Sequence, residues 1–397
     1  MKKFDFIIIG SGIIGLTIAV AIKNKKKDAT VLILDKESGE AYHASGRNSG
    51  VLHAGFYYTA DSLKAKFTVE GSKAMKAYVK LKSLSINECG KLVVAQNEDE
   101  LKQLDELLRR GQRNGSSVTL IDEAQVFDID PNVKTYKRAL YSPNTASIDP
   151  KEVCASIKND LLQIGVEFSY DTKYLGHSGN VIQTNKGDFE AGIVINCAGL
   201  YADKIAHEYG FGLKYTVIPF KGLYLKYTKN TSDININIYP VPNLKNPFLG
   251  VHYTKTVDGH IKIGPTAIPA FWRENYDSKS GFSFKEISEI LFYESKLYLT
   301  NAFNFRGLAH EEMRKFNKEY FVSLAQSMVK YIDPKGFTEW SKPGIRAQLL
   351  DKKTLSLVQD FVVEADGKSV HVLNAVSPAF TCSFPFSKYV VDKYLFI

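Results

Sequence analysis

Cysteine is scarce in this chain of 397 residues: four occur, at 89, 154, 197 and 382, with no Cys-x-x-Cys pair and no metal-ligand spacing. A disulfide framework is not expected, no metal is assigned, and the thiols read as reduced in a cytoplasmic protein. No stretch offers the roughly 20 uninterrupted apolar residues that a membrane-spanning helix needs. Met1-Lys2-Lys3 before an apolar run imitates a secretory signal, but glycines 10, 12 and 15 interrupt the run and no suitable cleavage site follows. Dense basic runs are missing too, beyond Lys25-Lys26-Lys27, although the formal charge is +8. A nucleic-acid partner is therefore not expected, while a small anionic substrate or an anionic membrane surface would profit from the same field. Internal repeats and low-complexity segments are absent. What remains is an ordinary globular composition, 44% hydrophobic and 24% charged, long enough for two packed domains or for one with a second inserted.

The opening residues carry the first positive signal. Residues 4–9, FDFIII, predict a buried central strand, followed by Gly10-Ser11-Gly12-Ile13-Ile14-Gly15 and an apolar helix. A second strand, Thr30 to Leu34, ends on Asp35, about 20 residues beyond the last glycine. Gly10 permits the tight turn, Gly12 lets backbone approach a pyrophosphate, and Gly15 allows close helix–strand packing. Unpaired amides at the helix start favour phosphate, and Asp35, followed by Lys36, can accept ribose hydroxyls while repelling a 2′-phosphate. The fingerprint does not separate FAD from NAD.

The next loop leans towards a flavin. Ser45, Gly46, Arg47, Asn48, Ser49, Gly50 and Val51 form a glycine- and serine-rich stretch able to wrap a pyrophosphate and reach an isoalloxazine. A plain NAD domain would proceed to another helix–strand unit; the bland reading is a surface loop with an incidental arginine. The run SGRNSGVLHAGFYY with SLKAKFTVEG downstream resembles the L-2-hydroxyglutarate oxidase or dehydrogenase branch of the D-amino-acid-oxidase-like FAD flavoproteins. VINCAGLYADKIA (194–206), IPFKGLYLKY (218–227), the segment 239–276, KPGIRAQLLD (342–351) and NAVSPAFTCSFPFSKYV (374–390) agree in order.

That resemblance implies an α/β protein, an FAD-binding Rossmann-like domain with a discontinuous α+β substrate domain on a mixed or antiparallel sheet. Residues 1–86, 145–215 and 335–397 would form the FAD domain, and 87–144 and 216–334 the substrate domain. The residues themselves predict a helix after Asp149-Pro150, short strands leading to Gly199, strand-like pieces at 215–228, 248–256 and 259–266, and helices around 285–302 and 311–331.

The implied reaction is oxidation of L-2-hydroxyglutarate to 2-oxoglutarate, with hydride passing from C2 to flavin N5 and electrons leaving to oxygen or a quinone. An amino-acid oxidase and a flavoprotein without turnover are the alternatives. Such chemistry needs a neutral histidine near the flavin and a fixed cation for the substrate carboxylate. His53, just past the flavin-contacting loop, and His252, where the family also places histidine, are the candidate bases. By resemblance Arg346 takes the carboxylate with a planar, always-charged grip. Lys221, where relatives often carry arginine, is expected at the distal carboxylate or at flavin N1, and Tyr57, Tyr239 and Tyr253 are candidate hydroxyl donors. Ala198 and Gly199 are expected at the cofactor. Ser377, Pro378, Ala379, Phe380 and Thr381 are expected to turn backbone amides towards the flavin pyrimidine. Phe380 and Phe384 depart from a normally small-residue stretch, and Asp35 from the more usual glutamate. Noncovalent flavin and, at most, peripheral contact with the inner face of a membrane complete the expectation.

Overall fold

The computed structural model describes residues 1–242 and 249–396; positions 243–248 of the family-like segment 239–276 lie outside them. Lys2–Ile9 pairs in parallel with Val31–Leu34 on one side and with Phe189–Asn196 on the other. The sheet runs Tyr174–Ser178, Val181–Thr184, Phe189–Asn196, Lys2–Ile9, Val31–Leu34, Glu167–Ser169, and Ser369–Asn374 also joins Phe189–Asn196 in parallel. Strand alternation explains why the opening run is apolar throughout. Phe6 and Ile8 enter a core under helices Ile13–Lys25, Leu63–Leu81, Pro150–Gln163 and Ala379–Tyr394, while Ile7 and Ile9 pack with Ile205 of Ala202–Glu208 on the other face. Asp149 caps the Pro150 helix, accepting from Lys151 N at 2.8 Å.

A second sheet of eight strands is antiparallel except where Asn237–Pro240 runs parallel to Lys91–Val94. Leu92, Val94, Ile238 and Tyr253 pack beneath Lys318–Gln326; Val93, Ala95 and Tyr239 face Glu98–Arg113 on the opposite side. Between the sheets, Tyr215–Gly222 and Gly344–Asp351 form an antiparallel ladder of eight registered pairs that sets Phe220 opposite Arg346.

Three expectations change. The 215–228 stretch bends after Gly222, and its tail, Leu225–Tyr227, belongs to the eight-stranded sheet. The 311–331 stretch lies across two helices, Phe305–Arg314 and Lys318–Gln326, because Asn317 caps the second by accepting from Tyr320 N at 2.9 Å. Phe337–Trp340, expected with the cofactor unit, pairs with Leu225–Tyr227 at the edge of the second sheet.

Candidate active site

A cavity of about 950 Å³ opens at the carboxyl end of the first sheet, where an open α/β sheet receives its ligands. Gly10 turns the chain there with φ of +109°, and a Cβ on it would meet Cys197 O at 2.5 Å. A Cβ on Gly15 would stand 2.0 Å from Gly10 O, so helix and strand touch only because that side chain is missing. Gly12, Ile13 and Ile14 line the cavity. Gly12 offers no side-chain cap, the first turn holds no acid, and only Ile13 N is taken, by Ser45 Oγ at 2.9 Å. This open helix start fits a phosphate cradle.

Four residues expected at the cofactor stand behind the cavity wall. Ser11 is fully buried and donates through its backbone N and its Oγ to Asp35 Oδ2 at 2.7 and 2.6 Å; Gly15 is a packing position. Gly46 and Gly50 press against Ala41 O and Ile148 O, at 2.1 and 2.3 Å from the Cβ each would carry. Asp35 lines the cavity while gripping the turn, its other oxygen accepting from Glu37 N at 3.0 Å. Lys36 lines it too and pairs with Glu274 at 2.7 Å and with Glu37. Glu37, His43 and Glu274 are spaced like metal ligands, but the Lys36 ammonium already supplies positive charge there.

The 45–51 loop and the carboxyl-terminal turn form the remaining walls. Ser45, Arg47, Asn48, Ser49 and Val51 line the cavity. Arg47 is fixed by Tyr42 O at 2.8 Å and by the Tyr276 ring, 4.2 Å from its guanidinium carbon. Ala198 and Gly199 face Ser377 to Thr381 across the space. Helix Ala379–Tyr394 begins there with neither a side-chain cap nor an acid in its first turn, a second open start although Ala379 N donates to Val376 O at 3.2 Å. Phe380 lines the cavity, whereas Phe384 turns away to the Tyr78 ring at 5.4 Å.

His53, Tyr224 and Arg346 close the inner end. His53 N donates to Thr381 Oγ1 at 3.2 Å, joining the loop to the helix start. Arg346 Nη1 donates to Thr266 O at 3.2 Å. His252, Tyr57, Tyr239 and Tyr253 are not part of the cavity lining. His252 stacks on Tyr239 with centroids 3.8 Å apart, and its Nδ1 lies 2.8 Å from Gly250 O. A carbonyl only accepts, so Nδ1 carries the proton and Nε2 keeps its lone pair. Tyr253 is a correction to the expected donors: one step along the strand from His252, it enters the opposite core with Ile238 and Ile263. Lys221 is another. It lies one step from Phe220, which faces Arg346, so it projects to the other side, near Asp277 and outside the lining.

Lys91 was not foreseen. It is fully buried on a central strand, with Nζ 3.9 Å from the Tyr239 centroid and 5.4 Å from that of Tyr57. Among the described residues Nζ has no hydrogen-bond partner, nor have Tyr57 OH and His53 Nδ1. Burial pushes the ammonium down to about 7, with Cys89 pulling weakly the other way. Burial, then the charges of Lys91, His252 and Lys64, hold His53 well below 6.5; His252 is pushed down to about 3, chiefly by burial, with Lys91 and Arg346 among the charges acting on it. Both imidazoles are therefore neutral at physiological pH, inside a shell of positive charge.

The profile of a family described as "FAD dependent oxidoreductase" matches residues 5–393. Curated relatives include L-2-hydroxyglutarate dehydrogenases of Indibacter alkaliphilus, 36% identical over 96% of each chain, and of Escherichia coli K12, 33% identical over 98% of this chain and 93% of that one. The human mitochondrial L-2-hydroxyglutarate dehydrogenase is 31% identical over 99% and 89%. Among solved structures, the FAD-bound L-α-glycerophosphate oxidase of Mycoplasma pneumoniae superposes with TM-score 0.76 at 21% identity, covering 98% of this chain and 94% of its own. Two open helix starts, a glycine turn and a terminal acid fit the nucleotide and flavin ends of one long cofactor, and with the profile match they place this chain in the DAO family of FAD dependent oxidoreductases.

Proposed function

We propose that the chain oxidises a small 2-hydroxy dicarboxylate, L-2-hydroxyglutarate foremost, to the 2-oxo acid. One observation carries the reading: His53 lines the cavity that also holds Arg346, and behind that lining Lys91 Nζ and Tyr57 OH, like His53 Nδ1, are buried polar atoms without hydrogen-bond partners among the described residues. Buried polar atoms left unmatched within the chain fit a polar guest. Two separate cations fit two carboxylates, and His252 feels both of them. The names of the curated relatives support the same substrate.

In this reading Arg346 grips the carboxylate beside C2 and Lys91 the distal one. FAD, when bound, supplies the two-electron acceptor for the hydrogen on C2 and passes the electrons to oxygen or a quinone. His53 takes the hydroxyl proton as the C–O bond becomes a carbonyl. Burial, its largest constraint, makes it a weak base, but a substrate carboxylate that neutralises the Lys91 charge raises its affinity for that proton. His252 backs the Tyr239 ring and keeps the chamber neutral. We assign residues 1–86, 145–215 and the chain after Trp340 to the cofactor unit, and the second sheet to the substrate unit. No helix of the described residues is long and apolar enough to cross a membrane; a cytoplasmic location with peripheral contact at the membrane's inner face belongs to the same proposal.

Anaerobic mixing of the purified holoprotein with L- and D-2-hydroxyglutarate, read as loss of flavin absorbance, tests it. Bleaching by the L form is expected. Bleaching by amino acids alone would redirect the reading to amine oxidation, and inertness to both classes would leave a flavoprotein without turnover.

A further inference from the structure

Helix Phe284–Thr300 turns the wrong side outwards for a helix in water. Its exposed positions are Phe284, Lys285, Ser288, Leu291, Phe292, Ser295, Lys296, Tyr298, Leu299 and Thr300, with Phe284 80%, Phe292 61% and Leu299 74% exposed. At 100° per residue, the phenylalanines, leucines and serines share one stripe and both lysines lie along one edge of it. The acids of the same helix face the protein. Glu286 accepts from Arg273 N at 2.9 Å, Glu289 takes Lys204, and Glu294 is buried, where burial pushes its carboxyl up to about 8.

The positive bias extends into the following helix. Arg306 reaches back to Tyr298 O and Leu299 O, each at 2.7 Å, and His310 meets Tyr298 OH at 3.1 Å. On helix Phe284–Thr300 the two exposed charged side chains, Lys285 and Lys296, are both basic, and Arg306 adds a third cation beside its end; further on, Arg314 is paired with the half-exposed Glu311 at 3.5 Å and Lys318 is followed by the exposed Glu319. An apolar stripe on the convex back of a helix, edged by cations, matches a flat, anionic, apolar-cored surface better than a partner's groove.

We propose that helix Phe284–Thr300 is the face by which this protein docks on an anionic lipid bilayer, its phenylalanines and leucines entering the headgroup boundary and its lysines meeting lipid phosphates. This rests on, and locates, the membrane contact included in the reading above. Its test needs no substrate, so it fails separately from the assigned reaction.

The holoprotein is sedimented with phosphatidylcholine vesicles, with and without phosphatidylglycerol, at low and high salt. Wild type is expected to bind the phosphatidylglycerol vesicles and to leave them at high salt. Phe284→Ser with Phe292→Ser and Leu299→Ser should lower partitioning by at least about tenfold. Lys285→Ala with Lys296→Ala should lower it roughly fivefold per lysine. Dye-coupled activity, flavin content and melting temperature of both variants should match wild type, since each substituted side chain points outwards. Absence of wild-type binding to anionic vesicles, or binding that survives both variants, overturns the proposal. So does a dimer in sedimentation analysis that the triple variant dissolves, because a second copy would then be what covers the stripe.

Discussion

At the scale of single residues, Lys91 is the most exposed to test. Its ammonium is buried without a hydrogen-bond partner among the described residues, so Lys91→Met should relieve desolvation and raise the melting temperature near neutral pH. The same change should raise KM for a dicarboxylate by about 10- to 100-fold, the worth of one charged hydrogen bond, and raise it far less for a monocarboxylic 2-hydroxy acid. The pH dependence follows from the folded pKa of about 7 against the usual 10.5. In that window the unfolded chain binds the extra proton, so this residue's contribution to stability grows as pH rises through it. Substrate affinity does the reverse, falling above about pH 7 as the cation is lost; in Lys91→Met both dependences should flatten. His53→Ala should keep bound flavin and lower kcat by about 100- to 10,000-fold, measured as the anaerobic reduction rate. Nothing in the sequence marked Lys91: a lysine next to the apolar run Leu92-Val93-Val94 carries no sign of burial by itself. Only its pairing between Asn237–Pro240 and Arg138–Ser142 makes position 91 interior.

Among elements, the glycine turn and the Asp203–Arg273 clamp carry the cofactor end. Gly15→Ala would drive a methyl into Gly10 O, so the helix must move away from the phosphate cradle. The purified variant is expected to lose most of its flavin, read as the ratio of visible to ultraviolet absorbance. Asp203 and Arg273 form a two-pronged ion pair, 2.7 and 2.9 Å, fully buried. Burial pushes the carboxyl up, but Arg273 outweighs it and holds it below the usual range. Asp203→Asn leaves the guanidinium uncompensated and should cost about 3–5 kcal/mol, read from denaturant unfolding. The glycine turn was legible in advance because its three jobs are local, between residues a few positions apart. The clamp was not: Asp203 and Arg273 lie 70 positions apart, and only the fold makes them neighbours. That Tyr253 and Lys221 lie outside the cavity lining has a related reason. Tyr253 enters the core under Lys318–Gln326 and Lys221 projects away from Arg346, and strand facing is decided by sheet pairing.

Over the whole molecule, the surplus of +8 bears on rate as well as solubility. A dianionic substrate should be steered into the cavity, so kcat/KM for it should fall as ionic strength rises, with a smaller fall for a monoanion. Stopped-flow reduction at a series of salt concentrations reads this directly.

The eight-pair ladder between the sheets also limits how this molecule can diverge. Arg346 rides on it opposite Phe220, and a slip of one residue would turn the guanidinium to the opposite face. The anchor therefore cannot creep by small steps. Descendants of this chain would gain new substrates by repainting the chamber around a stationary charge, and lose the charge only by giving up the ladder.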